Sequence, residues 1–76
     1  MKYDEVSRQI HDAVGGADNI SSFTNCMTRL RVSVHDTDKV DVERLKGLDG
    51  VMGVVPGSQT QIVVGPGHAE RLRQAF

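Results

Sequence analysis

Within a strand expected from Thr28 to His35, the chain alternates polar and apolar residues without a break from Arg29 onward: Leu30, Val32 and Val34 fall on one side of an extended backbone, Arg29 and Arg31 on the other. Such a strand needs a sheet with one face covered and the other open to water. The covering layer is legible too. Tyr3, Val6, Ile10 and Ala13 or Val14 recur at helical spacing, Asp4 and Glu5 suit a helix N-terminus, and Gly15-Gly16 supplies a stop. Ile20 to Thr24 forms a second, weaker strand, and the few residues between it and Thr28 imply a hairpin. Asp41 is placed to cap a short helix, with Val40 and Leu45 as a hydrophobic staple and Gly47 as its end. Val51 to Val55 and Gln59 to Val64 read as strands about a Pro56-Gly57-Ser58 turn, and Ala69, Leu72 and Ala75 or Phe76 as a last helix. The expected fold is α+β: an open two-layer sandwich, ordered α-β-β-α-β-β-α, with a four-stranded antiparallel sheet of two hairpins under three helices packed on one face.

At the tip of the first hairpin stands Cys26, the chain's one cysteine, just ahead of the arginine pair. Arg29 and Arg31 are two residues apart on one face, about 6.6 Å along a strand. Their forked donors match the oxygens of a dianion held between them. Each feature alone is more commonly structural: a lone cysteine is usually a small buried hydrophobe, and paired arginines usually form a solvated face. Here the cysteine lies in a turn among Thr24, Asn25 and Thr28, where positive charge and free backbone N–H groups favour thiolate over thiol. The combination reads as a nucleophile beside an anion site.

At 76 residues there is room for one small domain, residues 1–76, and for a shallow site rather than a deep cleft. One Tyr, two Phe and no Trp leave little aromatic surface for stacking on bases, and a net charge of -1 lacks the basic excess of a nucleic-acid binder. No partner of that kind is expected. One cysteine cannot close an internal disulfide, and no apolar run reaches the length of a signal core or membrane span, so a reducing, cytoplasmic setting is expected. A metal site from Cys26, His11, His35 and His68 has no ligand spacing, and no metal or other cofactor is expected. A redox module would want a second cysteine. A cysteine phosphatase would want arginine six residues after its cysteine, where this chain has Val32.

The run Asn25-Cys26-Met27-Thr28-Arg29-Leu30-Arg31-Val32 resembles the phosphorylation-site signature of the EIIB domain of the bacterial sugar phosphotransferase system, in its glucose and N-acetylglucosamine branch. That signature is cysteine, any residue, threonine, arginine, leucine, arginine, and each specified position is matched. The similarity extends through Gly15 to Ile20, Lys46-Gly47-Leu48, Gly50 to Val55 and Gln61 to Gly65. It implies a protein-phosphocysteine–sugar phosphotransferase. Cys26 would take a phosphoryl group from a phosphohistidine of EIIA and pass it to a sugar arriving through the membrane component EIIC. Arg29 and Arg31 would serve the onward transfer, and Thr28, with the amides around Met27 and Thr28, would line the phosphate cradle.

Partner contacts are expected at Asn25, Met27, Arg31 and the apolar residues near Pro56. The domain is expected to be monomeric, without a membrane span, and held at the inner face of the cell membrane through EIIC. N-acetylglucosamine is the favoured sugar, ahead of glucose, N-acetylmuramic acid and β-glucosides. The alternative is an EIIB-like regulatory domain that docks partners without passing phosphate on. The Met1 start favours a separate subunit over a domain of a longer EII protein.

Overall fold

A computed structural model describes residues 1–76. It contains α1 (Tyr3–Ala13), β1 (Ile20–Asn25), β2 (Arg29–Val34), α2 (Val42–Lys46), β3 (Gly53–Val55), β4 (Gln59–Val63) and α3 (Ala69–Ala75), the expected order, with short 3-10 turns at Ala17–Asn19 and Thr37–Lys39. The four strands form one sheet, β1-β2-β4-β3, antiparallel throughout. The β2–β4 pairing, with Leu30 opposite Ile62 and Arg31 opposite Gln61, joins the two hairpins at the sheet centre.

The alternation in β2 does what its pattern requires. Leu30, Val32 and Val34 are buried with Ile62 of β4 against Val6, Ile10 and Val14 of the first helical segment, Leu45 of α2, and Ala69 and Leu72 of α3. All helices therefore lie on one side, and Arg29, Arg31 and Ser33 remain half-exposed on the other. α3 is drawn onto α1 by the Tyr3 hydroxyl against His68 Nδ1 at 2.8 Å and by Ser7 Oγ donating to the Ala75 carbonyl at 3.2 Å. The Phe76 ring stacks on His11 at 4.0 Å between centroids and meets Phe23 edge-on at 4.8 Å.

α1 ends at a left-handed pair, Gly15 and Gly16, with φ of 103° and 86°. At Gly15 a Cβ would stand 2.9 Å from both Asn19 Nδ2 and Lys39 Cβ, so glycine is needed for space as well as conformation. Asn19 explains the crowding. Its buried carboxamide donates to the Val14 carbonyl at 2.7 Å and the Asp36 carbonyl at 2.9 Å, and accepts from the Asp36 amide at 2.8 Å, tying α1's exit to β2's exit. Asp41 caps α2 by accepting from the Arg44 amide at 3.0 Å, while Val40 and Leu45 both reach the core, as the staple predicts.

Strand boundaries differ from the sequence pattern by a residue or two, and in two strands the structure shows a local cause. The strand expected from Val51 begins only at Gly53, because the Val51 amide is taken by the Leu48 carbonyl at 3.2 Å and continues the turn out of α2. β1 reaches Asn25, but its register shifts between Ile20 and Ser22, leaving Ser21 as a bulge whose hydroxyl donates to the Ser33 carbonyl at 3.2 Å. A bulge and four consecutive exposed residues explain why this strand has so weak an alternation.

Candidate functional site

β1 ends at Asn25 and β2 starts at Arg29, so Cys26, Met27 and Thr28 make the turn between them. The Cys26 amide donates to the Arg29 carbonyl at 3.0 Å and closes it. From beyond β4, the Val64 and Gly65 amides both donate to the Thr28 carbonyl, at 2.9 and 3.0 Å. The tip is thus held by its own hairpin and by the exit of the neighbouring strand. Cys26 is half-buried there, whereas the Met27 side chain is 79% exposed.

Around the sulfur the backbone presents donors. The Thr28 amide is the largest influence and holds the Cys26 pKa below its ordinary value; desolvation opposes it, and the Arg29 amide and the Arg31 guanidinium reinforce it. Arg31 helps both as a donor and as a positive charge, and its Nε is buried without a hydrogen-bond partner, so the guanidinium keeps donor capacity unused. Arg29 is placed differently. Its Nη1 donates to Gln61 Oε1 at 2.9 Å across the β2–β4 pairing, on the open face of the sheet. The arginine pair therefore shares a face but divides its contacts: one side chain turns to the sulfur, the other to the next strand.

Asn25 shows a link that no local pattern carries. It pairs with Leu30, which places its side chain on the helix side of the sheet, and its Oδ1 accepts from Arg73 Nε of α3 at 2.7 Å. Gln61 and Arg73 are the two residues near this site that sequence reasoning missed. The Pro56 turn, expected to offer partner contacts, lies elsewhere. Because β4 runs antiparallel to β2 with Gln59 opposite Ser33 and Val63 opposite Arg29, that turn sits at the far end of the sheet from Cys26. At the cysteine's own end the exposed apolar residues are Met27 and Met52, the latter lying against Gly65.

Surface clefts of about 490, 480 and 260 Å³ line α1 and α2, the Gly50–His68 region and the start of β1, and none includes Cys26. No group of three or more His, Cys, Asp or Glu side chains could hold a metal ion, and no helix is long and apolar enough to cross a membrane.

The fold matches the crystal structure of one domain of the PTS system IIabc component from Clostridium difficile, with a TM-score of 0.82 and 33% sequence identity, over 97% of this chain and 74% of that one. The chain belongs to the phosphotransferase system EIIB family. The sequence model of that family, described as "phosphotransferase system, EIIB", matches residues 8–41, a span that holds β1, the Cys26 turn and β2. The EIIB domain is also 51% identical to the PTS system MurNAc-GlcNAc-specific EIIBC component of Staphylococcus saprophyticus, over 88% of this chain and 14% of that protein. The component of that name from Staphylococcus aureus strain USA300 is 48% identical, over 93% of this chain and 15% of its own length. The EIIB domain spans about one seventh of these curated relatives.

Proposed function

We propose that this EIIB domain relays a phosphoryl group, with Cys26 as its carrier: it accepts the group from a phosphohistidine of an EIIA protein and passes it to a sugar delivered by a membrane EIIC component. The supporting observation is the tip itself, where the Thr28 and Arg29 amides and the Arg31 guanidinium favour a thiolate on an exposed turn. In the first step the thiolate attacks phosphorus in line with the bond to the donor imidazole. The S–P bond forms, the P–N bond breaks, and its electron pair returns to the ring nitrogen. No dedicated base is required at Cys26, because the surrounding donors favour the thiolate and the donor phosphohistidine is already activated.

In the second step a sugar hydroxyl attacks phosphorus, the S–P bond breaks, and the thiolate departs with its electron pair while the hydroxyl proton passes to solvent or to a base beside the sugar. The same amides and Arg31 that favour the thiolate stabilise it as the leaving group. Phosphoryl transfer asks mainly for positioning and for charge stabilisation on the equatorial oxygens. Arg29 spends one donor on Gln61 and retains the others of its guanidinium for those oxygens. We assign it to the onward transfer, where the sugar's hydroxyl approaches over the open face. EIIC enters as the partner because the staphylococcal relatives are EIIBC components, and their MurNAc-GlcNAc names support an N-acetylated amino sugar, N-acetylglucosamine included, as the acceptor.

The test is the intact mass of the domain after incubation with phosphoenolpyruvate, the general phosphotransferase proteins and a panel of EIIA proteins, followed by peptide mapping that preserves thiophosphate. One added phosphate on Cys26 is expected. A folded domain that takes none from any phosphorylated EIIA overturns the relay and leaves a docking role.

A further inference from the structure

We infer that Arg73 is a positioning residue for the Cys26 turn, acting through the Asn25 carboxamide. With Cys26 read as the reactive thiol, as proposed above, its turn has a consistent polarity: the Cys26, Thr28 and Arg29 carbonyls are tied up in hydrogen bonds, and the Thr28 and Arg29 amides are left for the sulfur. The Arg29 carbonyl accepts from Cys26, and the Thr28 carbonyl from Val64 and Gly65. The Cys26 carbonyl accepts from Asn25 Nδ2 at 3.1 Å. This last anchor differs from the others in being made by a side chain.

A carboxamide can present either its oxygen or its NH2 to a neighbour, and here the choice is made from outside the hairpin. Arg73 Nε can only donate, so at 2.7 Å it must face the Asn25 oxygen, which turns the NH2 toward the Cys26 carbonyl. Because the trans peptide is planar, a Cys26 carbonyl held on the Asn25 side keeps the Met27 N–H on the opposite side. Release of that anchor frees the Cys26–Met27 peptide to rotate and to bring a carbonyl dipole toward the sulfur. Arg73 is itself well seated, in the last turn of α3, beside the Ser7 bond to Ala75 and the ring of Phe76 stacked on His11. The charged group facing the sulfur directly is Arg31 of β2; Arg73 reaches the turn through Asn25.

The experiment is iodoacetamide alkylation of Cys26 as a function of pH, on the full chain without any partner protein, for the parent, Asn25→Ala, Arg73→Met, Arg73→Lys and the Asn25→Ala/Arg73→Met double variant, each with a thermal melt. Asn25→Ala and Arg73→Met are expected to raise the midpoint by similar amounts, on the order of half a pH unit. The double variant should rise no further than either single, because both break one linkage. Arg73→Lys, which keeps a donor, should fall between the parent and Arg73→Met. Midpoints that stay at the parent value in variants that still melt cooperatively overturn the inference, as do shifts that add in the double variant. Should Asn25→Ala fail to fold, Arg73→Met and Arg73→Lys decide alone. Alkylation needs no phosphoryl donor, so its outcome is separate from whether Cys26 carries phosphate.

Discussion

The two hairpin turns are built from opposite principles. The Pro56–Ser58 turn is exposed throughout; its anchors are few, the Thr60 hydroxyl donating to the Gly57 carbonyl at 3.1 Å and the Val34 amide to the Ser58 carbonyl at 2.8 Å. The Asn25–Thr28 turn, at the other end of β2 and about 17 Å away along a five-step strand, is gripped by β2, by the residues after β4 and by α3. Reversing a chain needs only the first arrangement. The second spends three separate elements on orienting a few peptide groups, and the return is a cysteine whose thiolate is favoured although the side chain is only half-buried. Pre-oriented dipoles need no rearrangement when charge appears, and that explains the extra bracing.

The largest effect that could break this comparison is expected from Cys26→Ser. It should melt close to the parent yet take up no phosphate, since a serine hydroxyl is not ionised at neutral pH; uptake by the serine variant, read by mass, would relocate the chemistry. Next come the arginines. Arg31→Gln removes a donor and a positive charge from beside the sulfur, which disfavours the thiolate, so its alkylation midpoint should rise toward the ordinary cysteine value near ~8.5. Arg29→Gln should leave that midpoint nearly in place and slow sugar-dependent discharge of the phosphorylated domain instead; equal midpoints in both variants would erase the division of labour. The smallest effect is expected at the other turn: Ser58→Ala keeps both backbone anchors and should change stability by no more than about 0.5 kcal/mol, within a few degrees in a melt.

The parent's pH dependence follows in sign. The folded pKa of Cys26 lies below that of the unfolded chain, so the thiolate's contribution to stability is present above the unfolded value and is lost as pH falls through the folded one.

What was legible in the sequence is what short-range pattern encodes. The period of two in β2 fixed which residues face the helices, and Asp41 with Val40 and Leu45 announced α2 and its angle of entry. The cysteine, its turn and the arginine pair were readable for the same reason, being neighbours in the chain. The contacts of Arg29 and Asn25 were not. Arg29 meets Gln61, 32 residues away, only because of the β2–β4 register, and Asn25 meets Arg73, 48 residues away, only because α3 packs across that end of the sheet. The late start of β3 was hidden too, since Val51 and Met52 look like strand residues until the Leu48 carbonyl claims the first amide.

The bulge at Ser21 has a bearing on how anything can attach to this domain. The sheet has two free borders, β1 and β3. One is interrupted by that bulge and the other is three residues long, so neither offers a continuous ladder onto which another chain could add a strand. That leaves side chains as the means of attachment, and Met27 is the most exposed large apolar one. Under the proposed relay, contacts of that sort would let the domain leave one protein quickly in order to meet the next.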